Sequence, residues 1–115
     1  MKRAVTLKEN YEFRRLYQKG ASAVSGPMVI YCRKNKLGHN RLGITVSVKL
    51  GGAVVRNRAR RRLREVYRLN EQAFAKGLDI VVVARSKCIG AEFEKLTAAY
   101  LHLAKKAGIL REDRE

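Results

Sequence analysis

Between Ala53 and Arg68 the chain reads AVVRNRARRRLREVYR, in which seven of sixteen residues are arginine: Arg56, Arg58, Arg60, Arg61, Arg62, Arg64 and Arg68. Guanidinium groups at that density repel one another, so the segment calls for an anionic partner. The planar guanidinium donates in pairs to phosphate oxygens and stacks on a base, which an ammonium does weakly or not at all. Glu65 is the only acid among them, which argues against an ordinary solvated face of mixed charge. The chemistry these residues suit is recognition of a polyphosphate.

Cutting a phosphodiester would require more. It needs clustered carboxylates for two metal ions, or a general acid and base beside the scissile bond. The histidines are His39, in a polar turn, and His102, off the apolar stripe of the last helix. Glu9, Glu12, Glu92 and Glu94 read as surface acids, and Asp79 opens a strand with no partner close in sequence. Cys32 and Cys88 have neither a CxxC pattern nor metal-ligand spacing, and read as buried reduced thiols of a cytosolic protein. The chain is therefore expected to bind rather than cut, and to hold no metal itself.

Composition agrees. The 115 residues are 46% apolar, enough for one compact domain over 1–115 with a charged tail from about 109. Lys plus Arg number 26 against 10 acids, a formal charge of +16, which favours nucleic acid as partner. No apolar run approaches the ~20 residues of a membrane span, no strongly basic helix has a broad apolar face, and the N-terminus lacks a signal-peptide core.

The elements that must position the arginines follow from periodicity. Thr6-Leu7-Lys8-Glu9 reads as a capping box opening a helix over about 7–19, with Gly20 as a left-handed cap. Residues 21–27 suit a short edge strand or loop. In MVIYCR, Met28, Ile30 and Cys32 face one way, and Val29, Tyr31 and Arg33 the other. A turn over 35–40 leads to a half-buried strand with Leu42, Ile44, Val46 and Val48 inward, whose Thr45/Ser47 face could adjoin Tyr31. The arginine helix should run to about Ala75, Gly77 should end it, and LDIVVVA (78–84) reads as a covered central strand. A last helix over about 91–107 carries the stripe Phe93, Leu96, Tyr100, Leu103 and Ala107.

At ~100° per residue, Val55, Ala59, Leu63, Val66 and Tyr67 share the core arc of the arginine helix. Asn57, Arg60, Arg61, Arg64 and Arg68 share a neighbouring arc, Arg56 sits at the seam, and Arg58 and Arg62 take the other flank. The order of elements gives an α+β sandwich of helices on a sheet.

At these residues the sequence resembles the protein subunit of bacterial ribonuclease P. The match rests on Lys49, Ala53-Val54-Val55-Arg56-Asn57-Arg58, Arg60-Arg61 and Arg64-Glu65. Phe13-x-x-x-Tyr17-x-x-Gly20, Asn40-Arg41-Leu42-Gly43 and Asp79–Arg85 support it. The resemblance covers about residues 5 to 106. It implies an αβββαβα sandwich with helices on a four-stranded sheet and a left-handed βαβ crossover, the architecture of the second domain of ribosomal protein five of the small subunit.

It also implies a cytoplasmic accessory protein of a tRNA-processing ribonucleoprotein. The RNA subunit would cut precursor tRNA with magnesium, which that RNA mainly holds, and no obligate protein partner is expected. Lys49, Arg56, Asn57, Arg58, Arg60, Arg61, Arg64 and Arg68 are the implied RNA-binding residues. Phe13, Tyr17 and Tyr31 are the implied cleft for the single-stranded 5′ leader, where cations and stacked aromatics give a sequence-tolerant grip. On spacing alone Phe13 and Tyr17 could equally be core, and Tyr11 and Tyr100 read as ordinary packing. Val48 stands where a second lysine often precedes Lys49, so that contact is either missing or carried by Arg41. A general RNA-binding protein and a free-standing nuclease are the competing readings.

Overall fold

The computed structural model describes residues 5–7 and 9–110. A two-residue strand β1 (Val5–Thr6) leads into α1 (Asn10–Lys19), β2 (Ala21–Val24), β3 (Met28–Lys34) and β4 (Arg41–Thr45). A 3-10 turn at Val48–Leu50 precedes α2 (Ala53–Asn70), another at Glu71–Ala73 precedes β5 (Leu78–Ala84), and a third at Ser86–Cys88 precedes α3 (Phe93–Ala107). Apart from β1, this is the expected αβββαβα order.

The sheet runs β1-β4-β5-β3-β2, so the four main strands are extended by β1 at the β4 edge. β3 is antiparallel to β2 and β5, whereas β4 is parallel to both β5 and β1. The helix α2 is therefore the crossover between two adjacent parallel strands. β5 lies between β3 and β4, and its apolar run LDIVVVA follows from that central position, covered on both faces.

Period-two alternation sorts the side chains into two layers. Met28, Ile30, Cys32, Leu42, Ile80, Val82 and Ala84 point to the face that α2 and α3 cover, and pack with Leu63, Val66, Tyr67, Leu96, Tyr100 and Leu103. Burial of each large apolar side chain there contributes about 1.5–3 kcal/mol. On the opposite face, Leu7 and the α1 residue Leu16 pack on Val81, with Phe13, Tyr31 and Val83 partly buried around them. The registers Tyr31↔Val81 and Gly43↔Val81 place those three residues in one row across the sheet.

Several boundaries differ from the sequence expectation. α1 starts three residues late because Val5 and Thr6 pair with Arg41 and Leu42 instead of capping it. The capping box is formed by Glu9 and Glu12, a carboxylate at the cap serving where a hydroxyl was expected. Gly20 is extended (φ −81°), not left-handed; its constraint is space, since a Cβ there would lie 2.7 Å from the Leu16 carbonyl oxygen and 2.8 Å from that of Cys32. β4 ends at Thr45, and Val48 is 71% exposed in the 3-10 turn rather than inward. α2 stops at Asn70, with a 3-10 turn completing the segment read as helix to Ala75.

The last helix closes on Gly108 in the left-handed conformation (φ 75°). Beyond it Ile109 is buried and Leu110 bridges to Phe74. The charged residues 111–115 lie outside the described residues.

Candidate nucleic-acid interface

α2 is built as the wheel requires. Ala59, Leu63, Val66 and Tyr67 are buried, and only Val55, at 37% exposure, departs from the expected core arc. Tyr67 is pinned from the sheet side: Asn40 donates to its hydroxyl at 3.1 Å and to the Ala75 carbonyl at 2.8 Å, while accepting from the Leu78 amide at 2.8 Å. Burial raises the Tyr67 phenol above its ordinary value despite that bond. The helix cannot roll without breaking this set, so its outer face has a fixed orientation.

On that outer face the arginines divide by partner. Arg56 donates to the Gly51 carbonyl at 3.0 Å, and Arg60 to the Asn57 side chain at 2.9 Å. Arg62 donates to the Ala91 carbonyl, tying α2 to the segment before α3. Arg68 turns onto Glu65, with its Nε 2.9 Å from one carboxylate oxygen and an Nη atom on the other. That bond holds the Glu65 carboxyl below its usual range. Arg58, Arg61 and Arg64 are exposed and have no hydrogen-bond or ionic partner among the described residues. Lys49 is exposed in the turn that precedes the helix, held there by its amide donating to Ser47 Oγ at 3.1 Å. Thus the intended arc is a cationic surface, with Arg68 partly neutralised by the protein itself.

Arg41 does not join that surface. Its Nε and one Nη donate to the two Asp79 oxygens at 2.9 and 2.8 Å, and its other Nη to Glu12 at 2.6 Å. Asn35 adds a bond to Asp79 at 2.9 Å. The Asp79 bond is foremost in pushing the guanidinium pKa up. Burial alone would raise the Asp79 carboxyl, but the Arg41 and Asn35 bonds outweigh it and hold it below the usual carboxylate range. Both open readings of Asp79 and Arg41 close here: the acid has a partner 38 residues away in sequence, and the cation is consumed in joining β4, β5 and α1.

The three aromatics meet on the α1 face. The Tyr17 and Tyr31 rings sit edge to face, with centroids 4.9 Å apart at 73°. Tyr17 Oη and Thr45 Oγ1 share a hydrogen bond of 3.1 Å. Phe13 lies over Gly43, so closely that a Cβ there would be 2.6 and 2.7 Å from two of its ring atoms. Phe13 and Tyr31 rest partly buried on the Leu7–Leu16–Val81 cluster and Tyr17 is 40% exposed, so none of the three is a fully buried core residue. A shallow groove beside them is lined by Asn10, Phe13, Arg14, Tyr17 and Thr45.

Tyr31 reaches the Thr45 side of the sheet through Tyr17 rather than by strand adjacency, because β5 separates β3 from β4. The sequence pointed to the Thr45 face beside Tyr31 but not to Asn10 and Arg14 on the groove or to Gly43 beneath Phe13. Small residues on the open face of the strand were the available signal.

Of the other expectations, Cys32 and Cys88 are buried and free, with burial pushing both thiols up. His39 and His102 are exposed. Tyr100 is fully buried, as expected, but Tyr11 is 57% exposed and is not packing. Among the described residues no three His, Cys, Asp or Glu side chains cluster to hold a metal ion, and no helix is long and apolar enough to cross a membrane.

A family model described as Ribonuclease P matches residues 1–108. The ribonuclease P protein component of Alkaliphilus oremlandii is 40% identical over 96% of this chain and 96% of its own. That of Lachnoclostridium phytofermentans is 45% identical over 87% and 86%. Among solved structures, the Staphylococcus aureus RNase P protein superposes with a TM-score of 0.85 at 34% identity, covering 95% of this chain and 100% of that one. The Thermotoga maritima RNase P protein gives 0.81 at 33% identity, covering 88% and 96%. Sequence, fold and arginine helix agree, and this chain belongs to the ribonuclease P protein family.

Proposed function

We propose that the chain is the accessory protein of a ribonuclease P holoenzyme, holding the catalytic RNA subunit with one layer and the 5′ leader of precursor tRNA with the other. The observation that carries this reading is the pairing of two unlike surfaces on opposite faces of one sheet. Arg58, Arg61 and Arg64 project from α2 without partners among the described residues, with Lys49, Arg56, Asn57, Arg60 and Arg68 around them. Such a face neutralises phosphates and orients a structured RNA.

Across the sheet, Phe13, Tyr17 and Tyr31 form a half-open aromatic groove. Unpaired bases stack there for about 1–3 kcal/mol each, largely regardless of sequence. A general RNA-binding protein has no need of that second surface. The polypeptide supplies binding and alignment, and the RNA subunit supplies the cleavage. The magnesium used in cleavage is held mainly by the RNA subunit in this reading. The assembly is cytoplasmic and needs no further protein.

Reconstitution at moderate salt and low magnesium tests the proposal. Protein alone should leave precursor tRNA intact, while protein added to the cognate RNA subunit should strongly stimulate release of the leader. Absence of stimulation would leave a general RNA-binding protein, and cutting without RNA would indicate a nuclease.

A further inference from the structure

A second basic strip lies on the outer side of α1, on the same layer as the aromatic groove and away from α2. Tyr11, Arg14, Arg15, Gln18, Lys19 and Arg33 line one continuous depression there. Arg15 and Lys19 are exposed and have no acidic partner among the described residues, and the exposed Arg33 faces only Asp79, a carboxylate already bonded to Arg41 and Asn35. The nearby acids are already engaged, Glu9 in the helix cap and Glu12 on Arg41. Arg15 lies over the Tyr11 ring, 5.9 Å from its centroid, and Tyr11 remains 57% exposed.

Arg14 lines both this depression and the aromatic groove, so the two are joined across the helix. A helix with its side chains is only ~10–12 Å wide, a crossing that a few nucleotides span.

We propose that this strip is a second substrate subsite, which takes the 5′-distal part of the leader after it leaves the aromatic groove over Arg14. The inference rests on the leader reading above. Cations alone would suit any phosphate backbone, but cations beside an exposed aromatic ring suit an unpaired strand, whose bases can stack. Continuity with the groove through Arg14 favours the substrate over the RNA subunit.

The test uses reconstituted holoenzyme and three substrates: mature tRNA, precursor with a leader of about four nucleotides, and precursor with about twelve, within the range of single-strand site sizes. The unmodified holoenzyme should bind the long leader more tightly than the short one, and the short one more tightly than mature tRNA. In the triple variant Arg15→Ala/Lys19→Ala/Arg33→Ala, the long-leader advantage should vanish while the other two affinities stay unchanged. For the long leader the slope of log affinity against log salt should flatten by about 2, near 0.7 for each lost single-strand contact. Arg15→Lys/Arg33→Lys, which keeps the charge, should retain most of the advantage.

Unchanged long-leader binding in the triple variant would overturn the inference. So would equal losses on all three substrates, or weakened binding of the RNA subunit without substrate. If short leader and mature tRNA already bind alike in the unmodified holoenzyme, the aromatic-groove reading itself fails. If they differ but extra length adds nothing, only the second subsite fails.

Discussion

Gly43→Ala probes the floor of the aromatic groove with a single methyl group. Gly43 is a buried strand residue beneath Phe13, and an added Cβ would sit 2.6 and 2.7 Å from two ring atoms. Moving the nearest out to the 3.4 Å at which ordinary contact begins displaces the ring by about 0.8 Å. Overpacking of this kind costs about 1–3 kcal/mol. Removing a glycine from the unfolded chain returns about 0.4–1 kcal/mol, so a net loss of about 1–2 kcal/mol is expected. The effect reaches further than stability. Tyr17 is one turn along from Phe13, and its 3.1 Å bond to Thr45 would not survive an outward shift of that size in α1.

Denaturant unfolding reads the first effect, and the binding difference between leader-bearing and mature tRNA in the holoenzyme reads the second. Phe13→Leu in the same chain vacates the space, so the double variant should be more stable than the two separate losses predict, by about 1 kcal/mol. Leader preference should not return with it, because the ring is gone. Strict additivity of the two losses, or a Gly43→Ala protein with unchanged stability and leader preference, would refute the packing argument.

Three further outcomes follow from the same geometry. Arg60→Ala/Arg61→Ala/Arg64→Ala should flatten the salt dependence of RNA-subunit binding by about 0.7–0.9 per lost phosphate contact; an unaltered slope means the side chains meet no phosphate. Arg41→Met should cost about 2–4 kcal/mol at neutral pH by leaving Asp79 and Glu12 uncompensated. Because Asp79 is held below its unfolded value, its contribution is complete above about pH 4 and is lost as pH falls through the lower folded value. The Arg41→Met penalty should therefore shrink in acid, and a pH-independent penalty would contradict the ion-pair assignment. Asn40→Ala should cost about 2–4 kcal/mol through the lost bonds to Tyr67, Ala75 and Leu78, and a loss below 0.5 kcal/mol would mean water replaces them.

Local pattern made part of this architecture legible and left part of it hidden. The alternation of Met28–Arg33 and the unbroken run at 78–84 gave the right faces, because burial on one or both sides writes itself into residue type. The α2 arcs were readable for the same reason. What could not be read was strand order: that β5 separates β3 from β4 depends on long-range pairing, so the link from Tyr31 to Thr45 had to wait for Tyr17. The role of Arg41 stayed open in the sequence because its carboxylates come from Glu12 and Asp79, 29 and 38 residues away. Gly20 announced a constraint but not its kind, since close approach and positive φ leave the same residue in the sequence.

The most direct measurement compares Tyr31→Ala with Arg61→Ala/Arg64→Ala in one holoenzyme, scoring both RNA-subunit affinity and preference for leader over mature tRNA. A clean crossing is expected: Tyr31→Ala loses about 1–3 kcal/mol of leader preference and keeps its RNA subunit, while the arginine variant releases the RNA subunit and, once saturated with it, keeps its leader preference. If each variant impairs both properties alike, the two faces of the sheet do not serve separate RNAs.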